Sequence, residues 1–282
     1  MAIWQAIILG LVQGLSEFLP ISSTAHLTIV GRLMGVVEAD RPEEWTAFLA
    51  VVQLGTLLAV LAYFRADILS ITRGFLTTAA RRETATEQER QQARLGWLIL
   101  LATIPIVIFG LALRDVIEGD FTKNLWVIGS TLIGLAIVLW LAEAASKRNR
   151  AIDSMRWQDA AIVGAAQVIS LIPGASRSGT TIAGGLFAGL TREAAARFSF
   201  LLSILAIAGS GLFELPDALD SNSLSLSALL ISIAAASISG FLAIAFLLRY
   251  LQRHSTHIFI WYRIGLGLLI LVLLAAGAMN AL

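Results

Sequence analysis

Cysteine is absent from the 282 residues, which removes disulfides, thiolate chemistry and cysteine metal sites but leaves the compartment open. Charge is scarce as well. Asp, Glu, Lys and Arg make up 14% of the chain and the net formal charge is +1, too little to imply a nucleic-acid partner, and the basic residues fall in loops instead of along one helix face. No Lys or Arg precedes Arg32, so the N-terminus lacks the charged region of a signal peptide and is expected to stay in the mature chain. There are only five prolines, and two of them, Pro20 and Pro173, interrupt otherwise apolar segments.

What is present is hydrophobic sequence: 57% of residues are apolar and the mean hydropathy is +0.82, outside the usual range of soluble domains. A membrane span needs about 20 mostly apolar residues. Six such stretches occur, near 46–64, 94–113, 124–142, 194–214, 226–248 and 259–280. They are long, continuous and rich in Leu, Ala, Ile and Gly, unlike the short alternating segments of a membrane β-barrel. The expected fold is therefore all-α, a polytopic integral membrane protein of six transmembrane helices forming one membrane domain over 1–282.

Cytoplasmic loops carry the excess of Lys and Arg. The richest loops here are 65–94, with Arg65, Arg73, Arg81, Arg82, Arg90 and Arg94, and 143–156, with Lys147, Arg148, Arg150 and Arg156. Placing both in the cytoplasm puts the N- and C-termini outside. Two further apolar segments, 3–30 and 157–190, are each broken near the middle by proline and small polar residues. Each reads as a re-entrant hairpin, the first entering from outside and the second from inside. Gln13 and Ser16 recur as Gln167 and Ser170, and Pro20 and Ser23 as Pro173 and Ser176. That alignment sets Arg177 opposite Thr24 and Leu171 opposite Glu17. An inverted-topology repeat follows, about 1–142 and about 157–282, with the binding site at the midplane where the broken helices meet. Gln13 and Gln167 would either bond to each other across the pseudo-two-fold axis or act as ligands.

The first break reads Gln13-Gly-Leu-Ser-Glu17-Phe-Leu-Pro20-Ile-Ser22-Ser23-Thr24-Ala-His26. Such a polar cluster costs several kcal/mol to bury unless its members pair or meet water. If a helix restarts after Pro20, Ser22 or Ser23 can reach His26, and Glu17 can orient the imidazole or hold a cation. The second break reads Pro173-Gly-Ala-Ser176-Arg177-Ser178-Gly-Thr180-Thr181. Its small residues, hydroxyls and following helix N-terminus suit a phosphate, and Arg177 adds a fork of donors. Plainer roles suffice elsewhere. Ser16, Thr28, Ser178 and Thr180 are expected to satisfy a preceding turn or glue helices, Gly184, Gly185 and Gly189 to allow close helix contacts, and Arg263 to snorkel to the cytoplasmic interface. The charged run Arg81 to Arg94 reads as a solvated helical loop.

A Glu-Phe-Leu-Pro-x-Ser-Ser-Thr-x-His stretch followed by Pro-Gly-x-Ser-Arg-Ser-Gly-x-Thr, with Phe198-Ser-Phe-Leu-Leu202 beyond it, resembles the undecaprenyl-diphosphatase family. The resemblance spans nearly the whole chain. It implies a bacterial inner-membrane phosphatase linked to bacitracin resistance, which converts a polyprenyl diphosphate to the monophosphate and recycles the carrier used in peptidoglycan synthesis. It implies six spans with two sets of re-entrant helices in inverted repeat. By motif it makes Glu17, Ser22, Ser23, His26 and Arg177 catalytic, and Ser176, Arg177, Thr181 and Thr24 substrate-binding. It also implies a divalent cation, Mg2+ or Ca2+, at Glu17 and the position four residues earlier, where this chain has Gln13 in place of the usual carboxylate. Leu205 stands where relatives commonly have proline, a change expected to straighten that span. The partners would be the lipid substrate and the bilayer, with a homodimer allowed. The rival reading is a polyprenyl-phosphate transporter or flippase that binds without cleaving. A phosphatidic-acid-type lipid phosphatase fits less well, because His254 and His257 fall in a cytoplasmic loop with no Asp four residues on.

Overall fold

A computed structural model describes residues 1–37, 42–80, 83–220 and 225–281. These form helices α1 (Ile3–Phe18), α2 (Ser23–Leu33), α3 (Pro42–Tyr63), α4 (Arg65–Ala80), α5 (Glu87–Ala112), α6 (Arg114–Glu118), α7 (Leu125–Ala145), α8 (Trp157–Ile169), α9 (Arg177–Phe187), α10 (Arg192–Phe213), α11 (Leu215–Asp220), α12 (Leu226–Leu251) and α13 (His257–Ala275). Among the described residues there is no strand, only an isolated bridge between Arg150 and Leu190. Six helices, α3, α5, α7, α10, α12 and α13, are long and apolar enough to cross a membrane, and each falls within a few residues of its expected stretch.

Helix ends follow local chemistry. Thr86 caps α5 by accepting from the Glu89 N–H, while the Glu89 carboxylate accepts the Thr86 N–H at 2.8 Å, a reciprocal capping box. Asn124, Thr191 and Ser225 cap α7, α10 and α12 in the same sense. The expected loop 65–94 proves to be largely helical. Most of it is α4, folded back on α5 with Gly74 against the backbone of Glu89 and Gly96 against the Phe75 ring; Arg81 and Arg82 lie outside the described residues. Helix α10 runs unbroken through Leu205.

Lipid is as apolar as a leucine side chain, so helices in it associate through close backbone approach at small residues. Helix α1 lies on α12 this way, with Gly10 and Gly14 against Ser232, Ala236 and Ser239. Helix α8 lies on α5, with Gly164 against Ala102. Each broken segment thus packs on a 26-residue helix from the other half of the chain.

The two breaks share one local geometry. Ser22 has φ 76° and caps α2 by accepting from the Ala25 N–H, and Ser176 has φ 70° and caps α9 by accepting from the Gly179 N–H. Both following helices have 11 residues, and each is followed by a left-handed glycine, Gly35 at φ 66° and Gly189 at φ 83°. The correspondence between breaks is therefore Ser22 with Ser176 and Ser23 with Arg177. The register expected from Pro20 and Pro173, which set Arg177 opposite Thr24, is off by one residue. A left-handed serine costs about 1–3 kcal/mol, and its cap hydrogen bond offsets part of that.

Candidate active site

Glu17 lies in the last turn of α1, buried, and three donors converge on it. Arg177 Nη2 is 2.6 Å from its Oε1, while Ser23 Oγ and Gln13 Nε2 donate to Oε2 at 2.7 and 2.9 Å. Arg177 and Ser23 are the first residues of α9 and α2, so both helix N-termini, with their partial positive charge, point at this carboxylate. The side chains of Arg177 and Glu17 are 14% and 4% exposed. Removing one partner of so enclosed a pair costs about 3–5 kcal/mol, because the other charge is left uncompensated. The second break is tied to the first again through Ser178 Oγ, which donates to the Leu19 carbonyl at 3.0 Å.

A cavity of about 270 Å³ opens beside this cluster. Glu17, Ser22, Ser23, Thr24, Ser176 and Arg177 border it, together with apolar groups such as Leu49 and Ile207. Six of the expected site residues thus share one space. Thr181 does not border it. Its hydroxyl donates to the Arg177 carbonyl at 2.7 Å and meets Ser199 Oγ at 2.6 Å, so it braces α9 from behind.

His26 also departs from expectation. Its Nδ1 is 2.7 Å from the Ser22 carbonyl, which can only accept, so Nδ1 carries the hydrogen. Nε2 is then the acceptor for the Tyr262 hydroxyl at 2.6 Å, the two rings stacked with centroids 5.6 Å apart. Neither serine hydroxyl reaches the imidazole, and Glu17 does not orient it. The reason is local: the Ser22 hydroxyl is taken up in capping α2 and Ser23 turns toward Glu17. Gln13 and Gln167 do not bond to each other either. Gln167 Nε2 donates to the Ala102 carbonyl at 3.5 Å.

Arg263 overturns its expected place at the interface. It is fully buried in α13 and donates to the carbonyls of Pro20 at 3.3 Å, Gly174 at 3.2 Å, Ala175 at 2.9 Å and Leu132 at 3.2 Å. Both breaks leave carbonyls without helical partners, and lipid supplies no donor. One guanidinium with five N–H groups supplies it for both. The signal in the sequence was that need for donors at two broken helices.

As for a cation, no group of three or more His, Asp or Glu gathers among the described residues. The buried Gln13 Oε1 has no hydrogen-bond partner among them, and it belongs to the residue that touches Glu17. As placed, Gln13 turns its Nε2 toward Glu17 and both Glu17 oxygens already accept hydrogen bonds, so this pair could ligate a hard cation only with the Gln13 amide turned over.

The fold and this cluster define a class: a multi-pass helical membrane protein whose polar centre lies where two broken helices meet. Within that class the match is specific. The chain matches the family described as bacitracin resistance protein BacA over residues 6–269. It is 51% identical over 268 residues to an undecaprenyl-diphosphatase of Syntrophobacter fumaroxidans, covering 95% of each chain. It is 48% identical over 281 residues to one of Myxococcus xanthus, covering 99% of this chain and 92% of that one. A third, from Chlorobium chlorochromatii, is 46% identical, covering 99% of this chain and all of the relative. The chain belongs to the BacA family.

Proposed function

We propose that this protein hydrolyses undecaprenyl diphosphate, or a related polyprenyl diphosphate, to the monophosphate and inorganic phosphate, recycling the lipid carrier for cell-wall synthesis. The observation that carries this reading is the convergence of Arg177, Ser23 and Glu17 at the edge of one cavity. Relatives that match over nearly their full length bear the name of that enzyme, which favours cleavage over transport.

In this reading the prenyl tail stays in lipid and the diphosphate enters the cavity. Arg177 gives one hydrogen bond to Glu17 and keeps further N–H donors of its fork for the terminal phosphoryl oxygens, with Ser176 and the N-termini of α2 and α9 beside them. Positioning and electrostatics do most of the work in phosphoryl transfer. The Ser23 hydroxyl, beside Glu17, holds the attacking water, whose oxygen forms the new bond to the terminal phosphorus and becomes part of inorganic phosphate, while Glu17 accepts the water proton. The bond from the terminal phosphorus to the bridging oxygen breaks, and the monophosphate leaves with that oxygen. His26, held by Ser22 and Tyr262, keeps the first turn of α2 in place. A divalent cation, Mg2+ or Ca2+, held by Glu17 and the oxygen of a turned-over Gln13 amide would add positive charge at the phosphate.

The same reading takes the broken segments as re-entrant hairpins of an inverted repeat in one membrane domain of a bacterial inner membrane, with both termini outside. Supporting it, the cavity is bordered by the start of α3 and the ends of α5 and α10, which fall on one side if each helix spans once. That side is opposite the basic loops. A homodimer is compatible with this arrangement. The test is phosphate release from a polyprenyl diphosphate by purified protein in detergent. Arg177→Ala is expected to lower turnover about a hundredfold to a thousandfold in protein shown to be folded by thermal unfolding, which will itself register the loss of the Glu17 pair. Near-normal release by that variant would end the proposal.

A further inference from the structure

Two buried donors at the cavity have no partner among the described residues: the Thr28 hydroxyl and the Trp45 indole N–H. Thr28 is wholly buried, Trp45 is 5% exposed, and both residues border the cavity. For Thr28 this is unusual within the molecule itself. The buried helical hydroxyls of Ser16, Thr103 and Ser239 return to a carbonyl four residues back, and those of Thr56, Ser203 and Ser232 to one three back. Thr28 forgoes that local acceptor. Trp45 is fixed in the first turns of α3, with its ring edge facing Gly31 and its face stacked on Phe48 at 5.2 Å. Gly31 lies three residues after Thr28, on the same face of α2, so both residues border the cavity from one side of that helix.

Buried donors left without acceptors cost stability unless something supplies the acceptor. Here the cavity can hold an anion. Thr24 and Thr28 stand four residues apart on one face of α2 and both border it, and Thr28 lies about 7.5 Å along the helix axis from Ser23. Lys123 also borders the cavity, its ammonium donating to the Gly119 carbonyl at 3.0 Å, and so does Glu214.

We infer that Thr28 and Trp45 form a second phosphate subsite, which grips the phosphate that remains on the prenyl chain while Arg177, Ser23 and Glu17 act on the terminal one. This rests on the phosphatase reading and extends it. The terminal phosphoryl group must lie against Ser23, so its neighbour lies a few ångströms further along the cavity. Thr28 stands on the stretch of α2 that runs on from Ser23, with Trp45 against Gly31 on the same helix. Leu49 borders the cavity one turn of α3 beyond Trp45, the apolar continuation that the first isoprene unit needs.

The experiment uses Thr28→Val and Trp45→Phe, which remove the donors while nearly keeping shape, and Thr28→Ser, which keeps the hydroxyl. Turnover of polyprenyl diphosphate, direct binding of polyprenyl monophosphate and inhibition by inorganic phosphate are measured in detergent, with thermal unfolding followed alongside. For Thr28→Val and Trp45→Phe the expected result is a rise of about tenfold in KM and a matching loss of monophosphate binding. Inhibition by inorganic phosphate is expected to hold, the unfolding temperature of the unliganded protein to hold or rise as a buried unpaired donor is removed, and Thr28→Ser to behave as the parent. Unchanged monophosphate binding in Thr28→Val and Trp45→Phe, or weakened phosphate inhibition in its place, would overturn the inference. Failure of the phosphatase reading would look different: no phosphate release by the unmodified protein, with monophosphate binding still able to report on the subsite.

Discussion

The two broken segments have one backbone and two chemistries. Each bends at a left-handed serine, restarts as an 11-residue helix and ends at a left-handed glycine. Yet Glu17 in the first corresponds to Leu171 in the second, Ser23 to Arg177, and His26 to Thr180. The first segment thus contributes the carboxylate and the hydroxyl, the second the guanidinium. Two like backbones bring two helix N-termini to one carboxylate, and the side chains at equivalent positions differ, a hydroxyl on one and a guanidinium on the other. Neither segment is a site alone.

The sharpest way to break this division of labour is at Glu17. Glu17→Gln keeps the shape and the hydrogen bond to Ser23 but leaves Arg177 without its counter-charge and the attacking water without a base. A loss of turnover of about a hundredfold to ten-thousandfold is expected, measured as phosphate release under saturating lipid. An active Glu17→Gln protein would move the base elsewhere, His26 being the next candidate.

A smaller effect is expected at the residue that serves both segments. Arg263→Lys keeps the charge but has three donors in place of five and no planar fork. It leaves one or more carbonyls unsatisfied at the breaks, at about 1–3 kcal/mol each. Thermal unfolding in detergent is expected to show that loss, with residual activity recovered at low temperature. Equal stability would mean that the two breaks hold their shape without it.

The smallest effects test the shared serines. Ser22→Ala and Ser176→Ala remove a cap and keep the strain, so each is expected to lower stability by about 1 kcal/mol. Ser22→Gly and Ser176→Gly relieve the left-handed conformation and are expected to cost only a few tenths. Matching losses for Ser22→Ala and Ser176→Ala, and likewise for Ser22→Gly and Ser176→Gly, would confirm that the breaks are equivalent, and a clear difference between the Ser22 and Ser176 variants would show that the likeness ends at the backbone.

Much of this was legible in the sequence, and what was missed has identifiable causes. The six apolar stretches and the two interruptions at Pro20 and Pro173 follow from length and hydropathy alone, and Glu17, Ser23 and Arg177 stand out because buried polar groups need a reason. Helix α4 was hidden because Arg65, Asp67 and Arg73 break its apolar pattern and give it the look of a loop. The one-residue error in register arose because matching prolines attract an alignment, whereas the conformation is set by the serines. His26 pairs with Tyr262 and Arg263 with Pro20, Gly174 and Ala175, contacts between residues far apart in the chain that no local pattern encodes.

Arg263 also constrains how the molecule can move. Because one guanidinium holds the carbonyl of Pro20 and those of Gly174 and Ala175 at once, the two bends cannot swing apart without stripping a buried cation of acceptors that lipid cannot replace. The guanidinium is in effect a rivet between the two bends, and a hinge between them is unavailable there. Any rearrangement that widens the cavity then falls to its other border, where α3 begins and α10 ends.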